Sequence, residues 1–148
     1  MKKKILLIFS ITVILIGIAI IILPIAINKI IAGKSNDMIE QFDAMSSDSL
    51  AANLERMAQF GFDAIAELNA LNLYKNVSDA KSDSVIGLII IKDINMSLPI
   101  MKGATSSNLA VGAATMKADQ KMGQGNYALA GHYNRNKNIL FGGIMYLK

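Results

Sequence analysis

The sequence predicts a membrane-tethered protein: an N-terminal transmembrane helix, a helical stalk, then an incomplete all-β barrel of which only the first strands are present. Three observations predict this. Residues 5–27 are almost wholly apolar. Residues 35–82 carry apolar side chains at helical spacing among many carboxylates. From Val85 the pattern changes to β-branched runs separated by turn residues.

Residues 5–27 are interrupted only by Ser10, Thr12, Gly17 and Pro24. As a helix they reach roughly 35 Å, enough to cross a hydrocarbon core. The helix satisfies its own backbone polar groups, which lipid requires. Pro24 falls near the outer end, where one lost hydrogen bond costs least. A cleaved signal peptide has a shorter apolar run and small residues before the cut, and Ile30-Ile31-Ala32-Gly33 makes a poor cleavage site. Residues 1–34 therefore read as an uncleaved signal anchor in the cell membrane. Lys2, Lys3 and Lys4 outweigh Lys29 and Lys34, which puts the N-terminus in the cytoplasm and the rest outside.

Residues 35–84 read as an extracellular helical stalk. Met38, Phe42 and Met45 share one face, as do Leu50, Leu54 and Met57. Ser47 or Asp48 is expected to cap the second helix. A weaker third pattern carries Phe62, Ile65 and Leu68. Residues 76–84 are polar and read as a turn-rich boundary. Asn76-Val77-Ser78 is a glycosylation triplet of a kind that arises often by chance.

Residues 85–91 read as a strand buried on both faces. Lys92-Asp93 begins a turn into a second strand at residues 96–101, where Pro99 argues for an edge or a bulge. A short helix can begin at Ser106-Ser107-Asn108-Leu109. Residues 113–125 read as loop, and residues 127–131 as a third strand that delivers His132 to a turn. The strand spacing looks hairpin-like.

Composition limits the chemistry. The chain has 148 residues, one domain's worth, and is 53% apolar with a net charge of +4. Lysines flanking the apolar run explain much of that charge. Without aromatic and basic residues interleaved, nucleic acid is not an expected partner. The sequence has no cysteine, which excludes disulfides and thiolate metal sites. One histidine with scattered carboxylates gives no zinc pattern, and no cofactor is expected.

Residues 85–132 resemble the class A sortases of Gram-positive bacteria. The resemblance runs in order through Val85-Ile86-Gly87, Ser97-Leu98-Pro99-Ile100-Met101-Lys102-Gly103 and Gly112-Ala113-Ala114-Thr115-Met116. It continues through Asp119-Gln120-Lys121-Met122-Gly123 and Gly125-Asn126-Tyr127-Ala128-Leu129-Ala130-Gly131-His132. It implies an eight-stranded sortase β-barrel, of which residues 85–148 are the N-terminal part. It also implies a transpeptidase that cuts LPxTG-type sorting signals on surface proteins and joins them to a cell-wall precursor amine. In that family a cysteine forms a thioester, a histidine moves the proton and an arginine stabilises the developing charge.

Only His132 has a counterpart among those three residues, and it is the candidate catalytic residue. The family's Thr-Leu-x-Thr-Cys pattern and its later arginine do not occur here. Arg135 lies in the loop after His132 and does not correspond to that arginine. Ser97, Ser106 and Ser107 have no motif for serine chemistry. The leading expectation is a C-terminally truncated sortase, inactive alone and exposing one face of residues 88–91 to water. One alternative is a complementing half whose partner is a C-terminal fragment carrying the missing residues. The other is a non-enzymatic membrane-tethered interaction protein that works through its stalk.

Overall fold

The computed structural model describes residues 2–61 and 70–148. Its first element, α1 (Lys2–Asp43), is one unbroken helix of 42 residues. The helix runs through Pro24 and across the position where anchor was expected to give way to stalk. Its two halves meet different surroundings. From Ile5 to Ile25 the large apolar side chains stand exposed, and this part is long and apolar enough to cross a membrane. Thr12 donates its hydroxyl to the Ile8 carbonyl at 2.9 Å, so the helix itself satisfies that polar group.

The second half of α1 belongs to the core. Ile31, Ser35 and Met38 are buried, and Ile27 and Phe42 pack against them. The spacing of 4, 4, 3 and 4 residues draws one stripe along the helix. Full burial of a side chain such as Ile31 or Met38 contributes about 1.5–3 kcal/mol. Ser35 interrupts the stripe: its hydroxyl is buried with no hydrogen-bond partner among the described residues.

The stripe lies on an open sheet. The strands are β1 (Val85–Ile91), β2 (Met96–Met101), β3 (Ala113–Thr115) and β4 (Leu129–Ala130), in that spatial order. Four strands are paired among the described residues and the sheet does not close, as the fold class read from the sequence required. The core joins Ile31 and Met38 of α1 to Val85, Met96, Leu98 and Met101 of the sheet. This helix is what keeps the sheet dry. The exposure expected along residues 88–91 is therefore confined mainly to Ile90, which is 60% exposed, while Ile89 and Ile91 pack on the core.

β1 and β2 form the expected antiparallel pair, joined by a 3₁₀ turn at Lys92–Ile94 with Asn95 left-handed. β2 is central rather than an edge, and the register shift falls between Val85 and Gly87, away from Pro99. Proline is tolerated because β3 pairs only with Ile100 and Met101. At Pro99 one side of β2 therefore has no strand neighbour to demand an N–H. On that side Gly112 packs against Pro99, and a Cβ at Gly112 would lie 2.4 Å from the Pro99 carbonyl oxygen.

The β2–β3 link is not a hairpin. α4 (Ser106–Val111), capped by Thr105, lies between the two strands and they pair in parallel. A parallel pair needs a crossover of this kind. Residues 113–115, read as loop, are a strand because Ala113, Ala114 and Thr115 are wholly buried and paired on both sides. Burial overrides the low strand propensity of alanine. The third strand expected at residues 127–131 narrows to Leu129–Ala130.

The helices after α1 also differ from expectation. α2 (Ser47–Glu55) is capped by Ser46, whose hydroxyl accepts from the Ser49 amide at 3.2 Å. Ser47 and Asp48 lie in its first turn, where Asp48 complements the helix dipole. The face carrying Leu54 and Met57 is exposed, and the buried residue of α2 is Asn53. Its amide donates to the Val85 carbonyl at 2.9 Å and the Ser82 carbonyl at 3.3 Å, tying α2 to the start of β1. Nearby, Arg56 pairs with Asp83 at 2.9 Å, but both side chains are well exposed and the pair contributes at most about 1 kcal/mol.

α3 (Ala70–Asp79) extends into the stretch expected to be turn-rich, because Leu73, Val77 and Ala80 bury one stripe in the core. The triplet at Asn76 thus lies within a helix, and the Asn76 amide nitrogen is buried. The third helical pattern, with Phe62, Ile65 and Leu68, lies outside the described residues.

Asn53 and Ser35 are expected to respond to alanine in opposite directions. Asn53→Ala removes both of its hydrogen bonds to carbonyls, leaving the Ser82 carbonyl only the Val85 amide, and lowers stability by about 1–3 kcal/mol. Ser35→Ala removes an unpaired hydroxyl and raises stability by about 1 kcal/mol. Thermal unfolding followed by circular dichroism in one detergent checks both signs.

Candidate functional site

β4 ends at Ala130, and Gly131 and His132 follow it out of the sheet. The strand is fixed by two neighbours. Ala130 and Leu129 pair with Ala114 and Thr115 of β3. Ala130 also packs on a small apolar cluster of Ala104, Leu109 and Ala114. Thr115 is held in turn, its hydroxyl accepting from the Gly103 amide at 2.8 Å. Gly103 needs its glycine there, with φ at 83° and the Gln59 backbone 2.6 Å from where a Cβ would stand.

His132 is then clamped by a segment that carries no recognisable motif. Residues Leu140–Tyr146 form a 3₁₀ segment kinked at Phe141, and the Phe141 amide donates to the His132 carbonyl at 3.2 Å. The Phe141 ring covers Gly131 so closely that a Cβ would sit 2.0 Å from a ring carbon. Leu140 is left-handed at φ 48° and buried. For a branched side chain that geometry costs on the order of 1–3 kcal/mol and persists only because packing enforces it. The signal for this clamp was the pair Leu140-Phe141 followed by Gly142-Gly143. Gly142 faces the carbonyl oxygens of Asn134 and Asn136 too closely for any side chain.

The loop between His132 and this clamp is ordered by asparagines. Asn134 accepts from the Asn136 amide at 2.8 Å, and Asn136 accepts from the Asn138 amide at 3.1 Å, two successive Asx turns. Asn134 also donates its side-chain amide to the Asn28 side-chain carbonyl on α1 at 3.0 Å. The histidine loop is thereby tied to the long helix.

The imidazole itself is half-buried. Its Nε2 is shielded from solvent and has no hydrogen-bond partner among the described residues. Burial pushes the His132 pKa below its ordinary 6.5, so the fold favours the neutral ring. Tyr127, on the way into β4, is shifted the other way: burial raises its hydroxyl, partly offset by Gln120 beside it. Among the described residues no second catalytic group is brought to His132. Arg135 is exposed in the Asx-turn loop, Ser97 is exposed on β2, and Ser107 shares a hydrogen bond with Thr105 at 3.0 Å. Among the described residues no three of His, Asp and Glu converge to hold a metal ion. A mainly apolar cavity of 520 Å³ lies elsewhere, between Leu50, Leu54 and Phe60 on one side and Ile86, Met122 and Tyr127 on the other.

Two outcomes follow from this geometry. Gly131→Ala forces the Phe141 ring away; unfolding midpoints should fall and the His132 ring signals should shift in NMR spectra, while Gly33→Ala, at a helical glycine with no neighbour within 4 Å, should leave the His132 signals in place. Second, the unfolded chain takes up a proton on His132 at a higher pH than the folded chain does. This contribution leaves stability unchanged well above pH 6.5, lowers it as the pH falls towards the folded-state value, and levels off below that. In His132→Gln that acid-side loss should be missing from unfolding curves measured against pH.

Comparison with known proteins places this geometry. The sortase domain family matches residues 89–148. Sortase A of Listeria monocytogenes is 35% identical over 140 residues, which are 94% of this chain and 62% of that protein. Sortase A of Bacillus anthracis is 49% identical over 74 residues, 49% of this chain and 35% of that protein. A crystal structure of Listeria monocytogenes sortase A overlaps 44% of this chain and 45% of its own at 46% identity, with a TM-score of 0.43. The chain spans less than two thirds of each of these relatives. The domain match and the two sortase A relatives support a class A sortase-like protein.

Proposed function

We propose that this chain contributes the anchor and the proton-transfer residue of a cell-surface transpeptidase acting on LPxTG-type sorting signals. Residues 1–34 form the signal anchor with a cytoplasmic N-terminus, residues 35–84 the extracellular stalk, and residues 85–148 the first part of the barrel. The supporting observation is His132. It is clamped at the end of β4 by Gly131 and Phe141, with a shielded Nε2 that has no hydrogen-bond partner among the described residues.

In the family reaction a thiolate attacks the threonine carbonyl carbon, the carbon–nitrogen bond breaks, and the leaving amine takes a proton from the histidine. The incoming amine then attacks the thioester carbon, the histidine recovers a proton, and the thiolate departs. Burial of His132 suits the second half, which needs a neutral ring. The first half needs an imidazolium, and burial alone opposes that charge. A neighbouring thiolate would stabilise it by opposite charge.

These 148 residues contain no thiol. We infer that unaided they do not form a thioester and do not cleave the sorting signal. A second reading is strand complementation. Among the described residues β1 and β4 each have one side without a strand partner, and such edges accept further strands. A segment that pairs there could bring the cysteine and arginine to His132.

Fusing residues 1–148 to the later strands of the Listeria relative tests the role of His132. The fusion should cleave a fluorogenic LPxTG peptide, His132→Ala should reduce cleavage by about 10²–10⁴-fold, and residues 1–148 alone should give no turnover. Cleavage by the fusion that survives His132→Ala, or turnover by residues 1–148 alone, would contradict this proposal.

A further inference from the structure

The anchor helix and the histidine loop meet at one level. The apolar run of α1 ends at Ile27, and the next residue, Asn28, accepts the hydrogen bond from Asn134. A residue adds about 1.5 Å along the axis, so Asn134 is held within one helical turn of the end of the apolar run. Ile27 and Ile31 pack in the domain core on the same unbroken helix, so the loop cannot drift from that level while the core stays folded.

The loop carries the side chains suited to that level. Tyr133 is 61% exposed, and Arg135 and Lys137 are exposed. Lys29 is exposed on α1 beside Asn28. No Asp or Glu occurs between residues 126 and 148, and none on α1 before Asp37, about 13 Å further along the axis. An aromatic ring and three cations without carboxylates is the side-chain set of a membrane interface.

We propose that the loop at residues 133–137, with Lys29, docks on anionic phospholipid headgroups of the bilayer that α1 crosses. Lys29, Arg135 and Lys137 pair with phosphate oxygens, and the Tyr133 ring sits at headgroup depth. His132 then faces its reactants at the membrane surface. The proposal rests on reading α1 as a membrane anchor, and does not depend on His132 being catalytic. Each basic side chain near an anionic surface favours the docked state by about fivefold.

The chain has no tryptophan and no cysteine, so a single reporter is unambiguous. Tyr133→Trp in the full chain is reconstituted in phosphatidylcholine vesicles, with or without phosphatidylglycerol, containing a lipid spin-labelled near the headgroup. Asp43→Trp, at the far end of α1 about 22 Å from Asn28, is the reference. The Tyr133→Trp emission should be quenched several-fold more than the reference, and more with phosphatidylglycerol. R135Q/K137Q should remove the phosphatidylglycerol-dependent part. If Tyr133→Trp disturbs folding by circular dichroism, a nitroxide on Tyr133→Cys reports the same depth by spin resonance.

Quenching no greater than the reference overturns the proposal, as does quenching indifferent to both phosphatidylglycerol and R135Q/K137Q. Alkaline carbonate washing of the same vesicles separates the two failures. A chain that stays in the membrane with an unquenched loop refutes docking alone. A chain that washes out refutes the anchor and the docking together.

Discussion

The fold depends on one helix covering one sheet. Four strands with free sides cannot protect their own apolar face, and the stripe from Ile27 to Phe42 supplies the missing cover. Met38 and Met101, among the largest fully buried side chains, mark where helix and sheet meet. The rest is arranged around that contact. α3 and α4 border it, the 3₁₀ segment after Ile139 closes its far end, and Asn53 fastens the sheet's first strand from outside.

The histidine inherits its position from this packing. β4 is only two residues long and cannot hold a side chain in place by ladder bonds alone. Its support comes from buried alanines on β3 and from the Phe141 ring pressed on Gly131. Leu140 must adopt a strained left-handed backbone to place that ring, which couples the precision of the site to the quality of the core. A single protonatable ring held this firmly, and shifted towards neutrality by burial, is suited to accepting and returning a proton.

The parts of this structure legible in the sequence are those governed by local pattern. The apolar run at residues 5–27 announced a helix, and residues 85–91 and 96–101 announced a strand pair through β-branched residues and a turn. The histidine after a short strand was visible through family resemblance rather than through physics. The illegible parts depend on distant partners. Ala113-Ala114-Thr115 has no strand-like composition and becomes a strand because β2 and β4 flank it. Asn76 and Val77 look like a turn and are helical because Leu73 and Val77 reach the core. Asn53 reads as a solvent-facing polar residue, yet two carbonyls 29 and 32 residues away claim its amide. The spacing of Met38, Phe42 and Met45 announced helix beyond Lys34, but not that it would join the apolar run without a break, nor that a sheet would bury its stripe.

The continuity of α1 imposes a phase relation. Its exposed apolar half and its core-forming half share one rod, so a residue inserted between Ile27 and Ile31 rotates one against the other by about 100°. One or two added residues would turn Ile31, Ser35 and Met38 away from the sheet. An insertion of seven, nearly two full turns, restores the azimuth but lifts the domain by about 10 Å. Insertions that keep both halves in register are thereby quantised, much as thread pitch restricts where a bolt head can stop.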